Sequence, residues 1–497
     1  MKQLTPDIEA ARRQLENHTI VPVYRKFVGD TVTPVSAYLA LSEGGEKRGF
    51  LLESVEKGDQ LARYSFLAVE PRASISSRDG RLQVEGELEL PDSDDPFQAI
   101  KKITEAWDVA PLENLPSFTG GLVGYFGYET IKYIEPTVPV HPPDKSVPFP
   151  DCQLYFNDTT VIFDHVERSV YLVGHLRRDS ELNLEKQYET INRRLDEWEQ
   201  ILSEKPEFPS VKKSVSEKQQ ISSNFEKEEF KQAVKRVKEA IKAGDTFQVV
   251  LSQRFELFDE NHPFNLYRSL RSLNPSPYML YLDFENFQLV GASPEMLVQK
   301  QGKKVYTRPI AGTRRRGKDT AEDKALAEDL LSDQKELAEH TMLVDLGRND
   351  LGRVCKPGTV RVTDCERVEK YSHVMHIVSD VEGEIASDCD AVDVLKATFP
   401  AGTVSGAPKV RAMQIINECE PSRRGPYSGA VCFFSFNGDL NSCIIIRTII
   451  NQKDKLYVQA GAGIVADSRP AREYEETREK ARALMKAVQL LPETNFL

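Results

Sequence analysis

The sequence has no Cys-x-x-Cys pair: its seven cysteines, at positions 152, 355, 365, 389, 419, 432 and 443, are scattered. That excludes zinc-ribbon and paired-thiol redox motifs, and the odd count points to reduced, mostly buried thiols in a cytosolic chain. No apolar run reaches membrane-spanning length, since the longest candidate, Cys443 to Ile450, is interrupted by Arg447. The N-terminus, Met1 to Ala10, carries acids where a secretory signal needs an apolar core, so a cytoplasmic protein with no membrane partner is expected. Basic charge is short as well. The net charge is −12 with no basic face to offset it, which argues against nucleic acid as a partner. An anionic substrate would need local arginine, lysine, backbone amides or a cation to overcome that field.

What is present is ordinary soluble composition, 40% hydrophobic and 29% charged, in a chain of 497 residues, long enough for two domains or one large composite. Residues 1–205 read as a strand-rich N-terminal domain, 206–222 as a polar linker with Pro206 and Pro209, and 223–497 as a C-terminal domain. Asp79-Gly80 predicts a hairpin, as does Asn437-Gly438, and Val161–Phe163 pairs with Val170–Val173. Helices are expected over Asp95–Trp107, Glu181–Leu202, Ala321–Leu351 and Ala407–Glu418, and another opens with a Ser223/Glu226 capping box and ends at Gly244. From Thr246 to Leu257 the alternation places Phe247, Val249, Leu251 and Phe255 on one face and Gln248, Val250, Ser252 and Arg254 on the other. Short turns between strands imply antiparallel sheets with helices packed on them, an α+β fold.

Several segments carry chemistry. Tyr457 to Val465 reads as an apolar strand broken at Gly461 and Gly463, and Glu473, Glu476 and Lys480 follow on one face of a helix. The plainer explanation of Glu476 and Lys480 is an exposed i, i+4 ion pair. Glu336, Glu339 and His340 share another helix face, and two acids at that spacing repel unless solvated or bridged by a cation. Thr307 to Gly317 is a basic turn, and Pro400 to Pro408 leads into a helix whose amides can cap an anion.

Leu51-Leu-Glu-Ser54, Asn274-Pro-Ser-Pro-Tyr-Met279, Gly291-Ala-Ser-Pro-Glu295, Arg308-Pro-Ile-Ala-Gly-Thr313, the acidic helix, Pro400 to Pro408 and Gly461 to Lys480 occur in that order. Together they resemble the chorismate-utilising enzymes, and among these the large subunits of anthranilate synthases. The resemblance implies a fold of two large packed antiparallel sheets surrounded by helices, with chorismate bound in the C-terminal domain. It implies amination of chorismate at ring C2, loss of the C4 hydroxyl and elimination of pyruvate to give anthranilate, the first step of tryptophan biosynthesis. By the family pattern, Mg²⁺ is the cofactor, with Glu339 and Glu476 as ligands and Glu336 and Glu473 beside them. Gly312, Thr313, Tyr427, Arg447, Gly461, Ala462, Gly463 and Lys480 would bind chorismate. Glu295 would be the general acid, His376 would move the proton in pyruvate loss, and Gln248 and Thr403 complete the catalytic set. Taken alone, His376 in an apolar strand reads more simply as a core histidine.

Two positions separate branches of the family. Enzymes that add water carry a lysine where this chain has Gln248, and a glutamine cannot deprotonate water. Aminodeoxychorismate synthase component I carries a lysine where this chain has Ala311. Both choices favour anthranilate formation, with aminodeoxychorismate synthesis and a non-catalytic tryptophan or chorismate sensor as the alternatives. No Cys-His-Glu glutaminase is found in the chain, so the resemblance implies ammonia from a separate glutamine amidotransferase subunit, in a heterotetramer of two large and two small subunits. It also implies a tryptophan feedback site at Glu53, Ser54, Pro277, Tyr278 and Met279. Arg315 and Gly347 depart from the family pattern, which has proline and alanine there.

Overall fold

The computed structural model describes residues 3–54, 63–111, 114–142, 147–212, 221–371 and 374–491. Two antiparallel sheets, of twelve and eleven strands, form the centre. Each draws strands from both sides of residues 206–222. In the first sheet Gly49–Glu53 pairs with Tyr278–Asp283, placing Glu53 opposite Met279. In the second, Gly121–Phe126 pairs with Ala430–Ser435. Strands this far apart in sequence lie side by side because their apolar residues share one interior. Phe50, Tyr125, Leu280, Phe433 and Tyr457 belong to a single cluster between the sheets, where Phe118 and Phe433 meet with ring centroids 4.5 Å apart.

Helices cover the outer faces. Pro34–Leu41, Leu184–Ser203, Pro263–Leu273 and Pro470–Gln489 bury apolar stripes on the first sheet, among them Leu270, Leu484 and Val488. Pro96–Glu105, Ala391–Thr398 and Lys409–Cys419 contribute to the other large cluster through Phe97, Leu395 and Met413. Of residues 206–212, Pro209 accepts a hydrogen bond from Asn265 at 3.0 Å and Phe208 lies under Arg268, so this stretch is docked rather than free. Residues 213–220 lie outside the described residues.

Several local expectations are met and several are corrected. Asp79-Gly80 forms its hairpin, with φ of 52° and 82° at the two positions. At Asn437-Gly438 only the glycine has positive φ, so the turn is longer than the primed two-residue type. The helix starting near 226 is capped by Glu226 and Glu229, three residues later than Ser223/Glu226. Ser223 instead sits in a short strand opposite Phe255. The single helix over Ala321–Leu351 is two, Thr320–Ser332 and Gln334–Gly352. They divide at Asp333, whose carboxylate accepts from the amides of Lys335 and Glu336 and so caps a new helix start. Phe247 is 72% exposed, because it precedes the first rung of strand Gln248–Phe258 and has no neighbour to pack on.

Candidate active site

A large cavity, about 860 Å³, opens where the strand Lys455–Ile464 outruns its neighbour. Thr448–Gln452 pairs with this strand only up to Val458, whereas Gln248–Phe258 pairs with it up to Ile464. One edge is therefore open from Gln459 onward. Lys480 Nζ donates to Gly461 O at 2.9 Å from that side. In an antiparallel ladder the N–H and C=O of one residue point the same way, and every second residue repeats the direction. The amides of Gly461 and Gly463 thus face the open edge. The strand does not break at the glycines, as their spacing suggested; they stay in register with Ser252 and Val250. Their small size has another cause. A Cβ on Gly463 would lie 2.5 Å from Gln248 Nε2, and one on Gly461 would lie 2.8 Å from the Tyr427 hydroxyl. The missing side chains leave room for Gln248 and Tyr427.

Each wall is supplied by a different element. Helix Pro470–Gln489 brings Glu473, Glu476 and Lys480, and helix Gln334–Gly352 brings Glu336 and Glu339. Gly312 and Thr313 lie at the bulge of strand Ile310–Arg315, where Gly312 has φ of 64° and a side chain would press on Leu330 and Glu336. His376 comes from Val374–Glu384, and Thr403 from the turn Gly402–Val404. Glu295 sits where the chain passes from the first sheet to the second, between Gln288–Ser293 and Met296–Gln301. Arg447 occupies the same kind of crossing, before Thr448–Gln452, with φ of 51°.

Of the residues singled out for catalysis, substrate or metal, all line this cavity except Tyr427 and Ala462. Tyr427 is buried directly beneath Gly461. Ala462 is fully buried in the core on the far face of its strand, and by alternation its amide belongs to the ladder with Leu251. Period-two geometry thus removes it from a run of three that reads as one motif. Lys335, Tyr371 and Arg472 also line the cavity although none was assigned a role from the sequence; Lys335 and Arg472 lie within the acidic helix and the Gly461 to Lys480 segment, and Tyr371 lies outside every motif.

The acids are strained electrostatically. Burial raises the Glu339 carboxyl above its ordinary range, and Glu336 and Glu476 add to the effect while Gln248 opposes it. Burial likewise raises Glu473, again with Glu476 contributing. Glu476 is held by Lys480 at 2.8 Å, so the simple i, i+4 pair is real, but it forms inside the cavity. Glu336 is held by Arg314, which also binds Asp329 and Asp333. Glu295 is pushed up to about 7 by burial, against the pull of the Thr403 hydroxyl, which donates to it at 2.8 Å. Burial lowers His376. Its Nδ1 lies 2.8 Å from Gly312 O, an acceptor only, so Nδ1 carries the hydrogen and Nε2 keeps its lone pair. Arg447 is half-buried and makes no ion pair among the described residues; its guanidinium reaches one carbonyl, Lys480 O, at 3.3 Å.

The four glutamates offer an all-oxygen donor set suited to a hard cation, and their mutual repulsion would be relieved by one. Among the described residues no three of them converge closely enough to hold an ion as they stand, consistent with Lys480 and Arg314 holding two of them aside.

A second, small pocket of about 60 Å³ lies between the sheets and is lined by Glu53, Ser54, Pro277, Tyr278 and Met279 together with Phe433 and Cys443. All five residues expected at one site are therefore together. Glu53 accepts from the Tyr267 hydroxyl and from both arms of Arg271, at 2.9 and 3.1 Å.

Comparison with known proteins agrees. The chorismate binding enzyme family model matches residues 47–486. Anthranilate synthase component 1 of Aquifex aeolicus is 46% identical over 494 residues, covering 99% of each chain. That of Synechocystis is 46% identical, covering 98% of this chain and all of the other. The crystal structure of anthranilate synthase component I from Streptococcus pneumoniae superposes with a TM-score of 0.75 at 38% identity, over 93% of this chain and 99% of that one. The menaquinone-specific isochorismate synthase of Escherichia coli shares the fold, with a TM-score of 0.70 at 18% identity over 97% of this chain and 99% of that one. The chain belongs to the chorismate binding enzymes, within the group of anthranilate synthase component 1 proteins.

Proposed function

We propose that this chain converts chorismate and ammonia to anthranilate and pyruvate. The observation that carries the reading is Arg447, a half-buried guanidinium without an ion-pair partner among the described residues, facing a cavity that also holds Lys480 and the open-edge amides of Gly461 and Gly463. That arrangement suits a ligand with two carboxylates. Glu295 is protonated for half of its time near pH 7, so it can give a proton to the oxygen leaving ring C4 as ammonia bonds to C2. Nε2 of His376 then serves the proton transfer that accompanies loss of pyruvate. Gln248 presents an amide instead of a base, which fits a nucleophile that arrives as ammonia. Ala311 presents only a methyl group to the cavity, which leaves no amine there for covalent attachment.

Glu336, Glu339, Glu473 and Glu476 would hold Mg²⁺, whose charge would offset that of the ring carboxylate and the acidic wall. Ammonia would come from a glutamine amidotransferase subunit, the second component that a component 1 protein implies, in an assembly of two large and two small subunits. Tryptophan would inhibit through the small pocket. Its Asn274–Met279 segment supports this: Asn274, Pro275 and Ser276 line the large cavity, and Pro277, Tyr278 and Met279 line the small one. The small pocket has room for a few waters rather than an indole, so tryptophan binding requires it to widen and would move that shared segment. Incubation with chorismate, ammonia and Mg²⁺ tests the reading. Fluorescent anthranilate and equimolar pyruvate are expected; 4-amino-4-deoxychorismate without pyruvate, or no turnover, would overturn it.

A further inference from the structure

One side chain outside the cavity touches three of the segments that build it. Arg424 is 1% exposed, and each of its five N–H groups has an acceptor. Nε and Nη2 bind the Glu420 carboxylate at 2.9 and 2.6 Å. The second Nη2 hydrogen goes to Val250 O at 2.8 Å, and Nη1 serves Val404 O at 2.7 Å and Ser428 Oγ at 3.1 Å. Glu420 in turn accepts from the amide and hydroxyl of Ser252, at 2.8 and 2.9 Å. The guanidinium lies 4.8 Å from the ring of Tyr128 and 5.7 Å from that of Tyr427. Its own backbone is fixed, since the amides of Arg424 and Gly425 both donate to the Glu129 carboxylate.

The three anchored segments each deliver a site residue. Val250 is two residues from Gln248 on the same strand and therefore on the same face. Val404 follows Thr403, the hydroxyl that bonds Glu295. Ser428 follows Tyr427, which packs under Gly461. A buried ion pair is a poor way to gain stability, because desolvating both charges offsets most of their attraction. A planar fork with five fixed donors is, however, well suited to hold three backbones in one geometry.

We propose that Arg424, clamped by Glu420, is a positioning residue that sets the relative placement of Gln248, Thr403 and Tyr427 and, through Thr403, the hydrogen bond to Glu295. This rests on the catalytic role given above to Glu295. Glu295 shares its cavities with His376 and Arg447 on one side and Arg308 and Asp350 on the other, none of which Arg424 touches. A change at Arg424 reaches the Glu295 carboxyl through the Thr403 hydroxyl and the Glu295 backbone through Ser428, Ile445 and Ile444.

The test is Arg424→Lys, which keeps the charge and loses the fork. A displacement on the order of 1 Å in a catalytic constellation lowers kcat by about 100-fold, while KM for chorismate stays within about threefold because Arg447 and Lys480 are untouched. The Thr403 hydrogen bond favours the ionised Glu295, so loosening it moves the alkaline limb of the kcat profile to higher pH by about half a unit. Ser428→Ala removes one of the five acceptors and should give a smaller shift in the same direction; it decides the matter if the lysine variant fails to fold. A lowered melting temperature with the limb and kcat unmoved would make Arg424 merely structural and overturn the proposal. Carbon-13 NMR titration of Glu295, assigned with Glu295→Gln, reads the same shift without substrate. If the wild type does not turn over chorismate, the catalytic reading fails while this titration still judges the positioning role.

Discussion

At the small pocket, the Glu53 carboxylate receives the Tyr267 hydroxyl and both arms of Arg271; at the large cavity, the Glu339 carboxylate stands among Glu336 and Glu476. Both acids are removed from water, but the first has its charge and its lone pairs answered by the protein. The second is raised above its ordinary range by burial, and the neighbouring Glu336 and Glu476 add to the effect. The same contrast holds for the arginines. Arg271 pairs with Glu53 through two N–H groups, whereas Arg447 is half-buried with one long bond to a carbonyl among the described residues. A region whose polar groups are satisfied is finished by folding. One whose half-buried acids repel each other and whose arginine has no counter-ion among the described residues is finished by its ligands.

The sharpest way to break this comparison is Glu476→Ala. The side chain is 39% exposed, so folding should survive, and chorismate turnover should vanish because the proposed cation ligand and the partner of Lys480 go together. Near-normal Mg²⁺-dependent activity would sink the ligand assignment. Next in size is Glu295→Gln, which should lower kcat by about 1,000-fold, the worth of a placed general acid. In the wild type, kcat should fall as pH rises through about 7, where the acid is lost. Stability should run the other way for the variant. The folded pKa lies above the unfolded one, so the native state holds the extra proton between them and loses stability as pH rises through that window. Glu295→Gln should therefore melt higher than wild type at pH 8 and show no such gain near pH 4. A melting difference independent of pH would refute the raised pKa.

On the satisfied side the effect should be one of stability. Glu53→Gln leaves Arg271 and Tyr267 with a weaker acceptor, at a cost of about 2 kcal/mol, below the usual range for a broken buried pair because Arg271 is 38% exposed. The urea midpoint should drop accordingly. An unchanged midpoint would mean that Glu53 is not the structural anchor its contacts describe.

How much of this was legible in the sequence depends on the range of the interaction. The α+β class, the Asp79-Gly80 hairpin and the helices near Asp95–Trp107, Glu181–Leu202 and Ala407–Glu418 rest on local patterns and are found to within a few residues. Motif order brought Glu295, Glu339, Arg447 and Lys480 to one cavity although they lie up to 185 residues apart. What failed was geometry within a motif. Gly461-Ala-Gly463 reads as one unit, but in a strand the middle residue must face away, and Ala462 does. Asp333 divided a helix because its side chain competes for backbone amides, a local choice that apolar periodicity does not register. Lys335, Tyr371 and Arg472 were missed because only the folded chain shows that they line the cavity. Arg424 was invisible for a different reason, since its five acceptors come from three stretches of chain, two of them distant in sequence from its own loop.

The smallest expected effect concerns the link between the two cavities. Ser54 lines the small pocket and not the large one. If tryptophan binds there, Ser54→Ala removes one hydrogen-bonding group from its site and should raise the tryptophan concentration needed for inhibition by about threefold to tenfold. The larger point lies in how the inhibition behaves. Because Asn274–Ser276 lines the large cavity and Pro277–Met279 the small one, widening one pocket displaces a wall of the other. Chorismate should then weaken tryptophan binding by the same factor by which tryptophan weakens chorismate binding, as linkage requires. Measuring both factors by equilibrium titration, in wild type and in Ser54→Ala, separates loss of affinity from loss of coupling. An inhibition curve unchanged by the substitution would place tryptophan elsewhere, and a coupling factor of one in the wild type would mean that the two ligands do not act through a shared wall.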